Sequence, residues 1–192
     1  MGLFPENYRD PTSGSNYMKL EDGSSKFRVL SEPVMGWLYW VEKDGKRKPV
    51  RVRDFKEVPA EFRAPADNKQ KAKYFWAMLV WNYNDSRAQV LEITQATIRN
   101  AMLALDQDSD WGDARGYDIA ITKSGKGMET EYHATPKNKA VFDKSDKSIP
   151  VIDLQALFRG EDPFTGALDE SIEKAADEIF NGELGLSEKS NS

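Results

Sequence analysis

Cysteine is absent from the 192 residues, and histidine occurs once, as His133. The first absence excludes disulfides, thiol chemistry and cysteine-based zinc sites. The second leaves His133 without a partner for acid–base work, and no Ser/His/Asp grouping can be assembled around it. No apolar run approaches the ~20 residues needed to span a bilayer. The N-terminus shows neither the basic nor the apolar region of a secretory signal. Gly125-Lys126-Gly127 is a turn signal that lacks the spacing of a phosphate-binding loop. These absences point away from an enzyme and a membrane protein. They leave a cytoplasmic binding protein that needs no cofactor.

One acidic stretch imitates a metal site. Asp106, Asp108 and Asp110 stand at positions 1, 3 and 5 of a calcium-loop pattern. Position 6, which requires glycine, is Trp111, and position 12, which requires a bidentate glutamate, is Tyr117. The pattern fails at its two most diagnostic positions, so no metal is expected. The stretch reads instead as a helix end and a turn, with Trp111 packing back on the body of the protein.

Charge is distributed unevenly. Residues 1–139 carry 22 Lys and Arg against 20 Asp and Glu, whereas residues 140–192 carry 5 against 12. Within the first part, residues 43–73 carry 11 basic against 5 acidic residues. A basic stretch on a chain with an acidic end suits a nucleic-acid partner, although solvated surface gives the same pattern.

Residues 1–25 are rich in Pro, Ser, Gly and Asn without periodicity and read as a loosely ordered arm. Strands are expected at 26–31 and 34–41, then along KPVRVRDF after the Asp44-Gly45 hairpin turn. Residues 56–72, with Pro59 and Pro65, read as a mobile basic loop. KYFWAMLVWNY (73–83) and AQVLEI (88–93) are strands around a turn. TQATIRNAMLALDQ (94–107) is the clearest helix, with Thr94 as N-cap and Ile98, Met102 and Leu105 as one apolar stripe. YDIAITKS and METEYHAT form a last hairpin, and the strand pattern stops after Pro136. VIDLQALFRG (151–160) and 166–180 read as short helices in an acidic tail. The fold class expected is mainly β with one central helix: an OB-like, partly open barrel with an acidic, partly helical C-terminal tail. The expected segments are an arm at 1–25, a core at 26–139 and the tail at 140–192.

The aromatic residues carry the functional reading. Trp37, Tyr39, Trp40, Tyr74, Trp76, Trp81 and Tyr83 fall on two of these strands. Alternation sends rings to both faces of both strands, and both faces cannot be barrel interior. One set is therefore exposed or covered by something else. Exposed rings beside Lys46, Arg47, Lys48, Arg51, Arg53 and Lys73 suit single-stranded nucleic acid, because stacking is worth ~1–3 kcal/mol per base and tolerates any sequence. The cations would neutralise phosphates and make binding salt-dependent. The same residues would also serve a protein–protein interaction module, such as an assembly component, since aromatics and Arg are enriched in interface cores. An RNA-binding or annealing protein is the other alternative.

NYMKLEDGSSKFRVLSEPVMGWLYW, FWAMLVWNY, VLEITQATIRNAMLAL, DWGDARGYDIAI and GKGMETEYHATP follow one another in this order. Together they resemble the single-stranded DNA-binding proteins of tailed bacteriophages, of the helix-destabilising replication type, over roughly residues 7–137. The resemblance implies an OB-fold core that binds single-stranded DNA in an electropositive cleft lined with aromatics. It implies action in DNA replication, recombination or repair within the host cytoplasm. Expected partners are single-stranded DNA, replication proteins such as polymerase or helicase contacting the acidic tail, and further copies of the chain on the DNA. The tail is also expected to compete for the cleft. The zinc module that some members carry cannot be built here without cysteine. NYRDPTSGSNYMK is nearly neutral where other members have a basic N-terminal motif.

Overall fold

The computed structural model describes residues 15–164. The chain divides into two compact units, Met1–Ile149 and Pro150–Ser192. The first holds seven antiparallel strands: β1 (Gly23–Val29), β2 (Val34–Lys43), β3 (Lys46–Val52), β4 (Lys73–Asn82), β5 (Arg87–Ile93), β6 (Tyr117–Ser124) and β7 (Glu131–Lys139). They form one sheet in the order β3-β2-β4-β1-β6-β7, with β5 added to β4. This mainly β, non-closed sheet is consistent with the OB-like expectation.

β4 organises the sheet. One of its edges is taken by β5 over Trp76–Asn82, so β1 and β2 follow one another along the opposite edge. Val29 stands opposite Val80 and Val34 opposite Ala77, so five steps of one chain match three of the other. The two surplus residues bulge out before Pro33, which lacks the N–H for a ladder bond. Ser31 repairs the ladder there: its hydroxyl accepts from the Leu79 amide at 2.9 Å. The sheet then curls sharply. β3 and β5 are separated by two strands, which in a flat sheet means ~14 Å. Yet Arg51 Nε on β3 lies 2.7 Å from Glu92 Oε2 on β5.

The concave side encloses Phe27, Val29, Met78, Val80, Leu91, Ile93, Ile119 and Ile121, all buried. Helix α1 (Ala96–Gln107) closes this core with Ile98 and Met102, and Leu105 packs at its edge. Burying each of the first two side chains contributes about 1.5–3 kcal/mol. The helix starts one residue later than its sequence signal. Gln95, not Thr94, is the N-cap, and no side chain caps the helix. The Thr94 carbonyl instead accepts from Arg99 Nη1 at 2.6 Å.

Three further expectations are corrected. Residues 56–72 are ordered, with one-turn helices at Phe55–Glu57, Ala60–Arg63 and Asn68–Gln70. Val58 and Ala72 are buried there, with Phe62 packed against them. The last strand does not stop at Pro136 but runs to Lys139, with Asn138 at φ 32° beside a bulge. It is the last strand of the order, where a missing N–H costs little. The arm is ordered at least from residue 15. Tyr17 bridges Val90 and Met18 enters the core.

Trp111 packs edge-on against Tyr117 at 5.1 Å, as the turn reading requires. Asp108 accepts from the amides of Asp110 and Trp111, and Asp106 from that of Ala114, so these carboxylates shape the turn. In the second unit, Leu154–Arg159 forms a 3-10 helix capped by Asp153 and ended by Gly160 at φ 72°. The expected helix at 166–180 lies outside the described residues.

Candidate nucleic-acid interface

The β2–β3 hairpin sorts the sequence's rings and cations onto two faces. Its turn places Asp44 at φ 55° and Gly45 at φ 70°, the left-handed pair that a two-residue hairpin requires. The register sets Trp40 opposite Pro49, Glu42 opposite Arg47, and Leu38 opposite Arg51. On its other edge Leu38 faces Lys73. Directly opposed residues share a face, so Leu38, Trp40, Glu42, Arg47, Arg51 and Lys73 stand together. Lys46 and Lys48 pair with Lys43 and Val41 and stand on the reverse face. Arg53 is exposed beyond the strand's end.

The reverse face is the covered one. Trp37 packs against Phe55 at 4.5 Å and Tyr74 at 5.3 Å, and Tyr39 stacks on Phe62 at 4.8 Å. The cover is the segment between β3 and β4 that the sequence presented as a mobile loop. Burial, with Glu61 and Glu57 nearby, pushes the Tyr39 phenol up. Tyr39 is core at 8% exposure, with Trp37 packed partly buried against its cluster, and Trp81 is core at 7%. Phe142 lies 6.2 Å from Trp81, and the Lys147 ammonium lies 5.7 Å over its ring. Tyr83 donates to Asp118 at 2.8 Å, in a network that also holds Arg28 and Lys26. Burial first, and then that hydrogen bond, pushes its phenol up to about 12.

Trp40 differs from all of them at 44% exposure. The Arg47 guanidinium lies over its ring, 5.6 Å from the centroid. Two grooves meet at this ring. One, of about 280 Å³, is lined by Leu38, Trp40, Arg47, Lys69, Lys71 and Lys73. The other, of about 380 Å³, shares Trp40, Arg47 and Lys69 and adds Glu42, Phe62, Asp67 and Gln70. Lys69 and Lys71 come from the Asn68–Gln70 turn, whose N-cap Asp67 accepts from the Lys69 amide at 2.9 Å. Among the described residues, Arg47, Lys69, Lys71 and Lys73 have no carboxylate partner. Arg51 does, through Glu92. An exposed ring among unpaired cations can stack a planar group and neutralise an anionic backbone.

The chain is similar to a probable ssDNA-binding protein of Escherichia phage T5. The two are 24% identical over 151 residues, which is 66% of this chain and 58% of that protein. The chain thus spans less than two thirds of the relative's length. No family model matches the sequence.

A further concavity, of about 450 Å³, lies between α1, the β1–β2 bulge and the Asp113–Arg115 turn. Trp76 lines it together with Met35 and Leu103, which are 48% and 43% exposed. The indole Nε1 of Trp76 is buried and has no acceptor among the described residues. Trp76 therefore belongs to a different surface from Trp40, and Tyr74 to the covered face. The sequence reading counted Lys69 and Lys71 in a basic stretch but did not place them beside Trp40, because they enter from a segment distant from β2 in sequence. The Asp54-x-x-Glu57 capping box, a legible signal, marks where that segment becomes ordered.

Proposed function

We propose that this chain is a non-enzymatic protein that binds single-stranded DNA without requiring a defined sequence. The observation that carries the reading is Trp40, half-exposed beneath Arg47 and flanked by Lys69, Lys71 and Lys73. The similarity to a phage protein described as a probable ssDNA-binding protein supports it. In this reading the curled open sheet is of the OB type, and the protein serves phage DNA replication, recombination or repair. The acidic residues of 140–192 would engage replication proteins such as polymerase or helicase, and further copies would line the DNA. Oligo(dT), double-stranded DNA and RNA are titrated while intrinsic Trp fluorescence is followed at two salt concentrations. Quenching by oligo(dT) that weakens steeply with salt is expected. Absence of quenching at low salt, with the protein folded, refutes the reading. Equal binding of RNA selects the RNA-binding alternative.

A second reading, a protein-docking module, is favoured by the groove lined by Met35, Trp76 and Leu103. Polarizable methionines adapt to varied apolar partners. Binding at that groove would depend little on salt, and this separates the two.

A further inference from the structure

The two grooves beside Trp40 differ in charge, although both share Arg47 and Lys69. The first adds Lys71 and Lys73, giving four cations and no anion. The second adds Glu42 and Asp67, giving two cations and two anions. Carboxylates repel phosphates, so a strand crossing the ring has a preferred orientation: backbone over the lysines, base edges over the carboxylates. We propose that the groove bordered by Glu42, Asp67 and Gln70 holds one unstacked base against Trp40 and selects bases that offer amino donors, guanine first and thymine last. The proposal rests on the single-stranded DNA reading of this face and deepens it.

The acceptors are available. Asp67 spends Oδ1 on the Lys69 amide, leaving Oδ2 for a ligand. Among the described residues, the Glu42 and Gln70 side chains make no hydrogen bond of their own, and both are exposed. Unstacked bases are read on their Watson–Crick edges. Guanine presents N1–H and N2–H₂ side by side, which a carboxylate accepts together. Cytosine and adenine present one amino group, and carboxylates accept readily from cytosine N4. Thymine presents a single N3–H between two carbonyl oxygens, which face the carboxylates unfavourably. The cost of setting carboxylates in a DNA-binding face is lower affinity overall, and discrimination is what they supply in return.

The test uses the full chain and a 15-mer of dT carrying one central dG, hypoxanthine or dT, at fixed low salt. The dG oligomer is expected to bind on the order of fivefold tighter than all-dT, the low end of what a bidentate base contact gives. Hypoxanthine, which lacks the 2-amino group, falls between. In the double variant Glu42→Gln, Asp67→Asn the cap on Lys69 survives, because the asparagine oxygen still accepts. Each new amide NH₂ donates to thymine carbonyls instead. Both oligomers should then bind more tightly, and the dG/dT ratio should fall to one or below. Equal affinities in the natural protein overturn the base-selecting groove and leave single-strand binding standing. A ratio unchanged in the double variant overturns it too, since other residues then read the base. Failure of every oligomer to bind overturns the single-stranded DNA reading itself.

Discussion

If the chain binds single-stranded DNA as proposed, the cations beside Trp40, and not the densest cations of the sequence, should set the salt dependence. Each neutralised phosphate contributes ~0.7 to the slope of log affinity against log salt for a single strand. Replacing Arg47, Lys69, Lys71 and Lys73 by Ala should therefore flatten the slope by about 2.8. Between 50 and 200 mM salt four such contacts would account for roughly a fiftyfold loss of affinity. Folding should barely respond, because exposed cations contribute ~0–1 kcal/mol each and these four have no carboxylate partner among the described residues. The companion variant Lys46→Ala, Lys48→Ala removes two charges from the reverse face and should leave the slope nearly unchanged. Both slopes come from Trp-quenching titrations across five salt concentrations, with melting curves alongside. A slope that flattens in the companion variant and not in the fourfold one refutes the assignment of faces.

Trp40→Ala should cost about 1–3 kcal/mol of binding and most of the DNA-induced quench, with little change in melting temperature. A full quench in that variant would mean another tryptophan meets the base. Asp118→Asn leaves the Arg28 side chain, 3% exposed, without its carboxylate and should destabilise the fold by about 3–5 kcal/mol in urea unfolding. A loss below 1 kcal/mol would contradict that account. Tyr83 and Tyr117, both raised to about 12, should ionise two units above an unfolded tyrosine when followed at 295 nm. Their contribution to stability is intact below pH 10 and disappears as the pH rises to 12, and Tyr83→Phe should remove its share of that loss. Trp76→Phe deletes a buried donor that lacks an acceptor and should leave stability equal or higher, with DNA affinity unchanged. A clear drop in either measurement means the indole N–H has a role that the described contacts do not account for.

The hairpin at Asp44-Gly45 was legible because two consecutive left-handed residues have few spellings. β2 and β4 were legible as short apolar runs and β6 by its alternation, since both patterns are local properties. Alternation also separates Trp37 and Tyr39 from Trp40, yet it cannot say which face is covered. That depends on Val58, Phe62 and Ala72, which arrive in a segment whose one-turn helices are too short to show any periodicity. The same gap hid Lys69 and Lys71. The charge count of residues 43–73 registered them as part of a basic stretch, but only the fold brings them to Trp40. The bulge between β1 and β2 was legible only as Pro33. That both strands lie along one edge of β4 follows from pairing between distant segments, to which no local pattern points.

The position of β1 also bears on how the chain folds. β2–β3 and β4–β5 are hairpins of neighbouring strands and can close as soon as they are made. β1 is synthesised before them, but its second neighbour is β6, and Arg28 meets Asp118 across 90 residues of sequence. On the ribosome the earliest strand is therefore among the last to be flanked on both sides. Until β6 emerges, the Arg28 charge has no buried counter-ion, which disfavours early closure of the core around it. The Arg28–Asp118 pair thus ties the first strand to one made 90 residues later. A chain that ends before residue 118 lacks both the pairing of β1 with β6 and the counter-ion of Arg28.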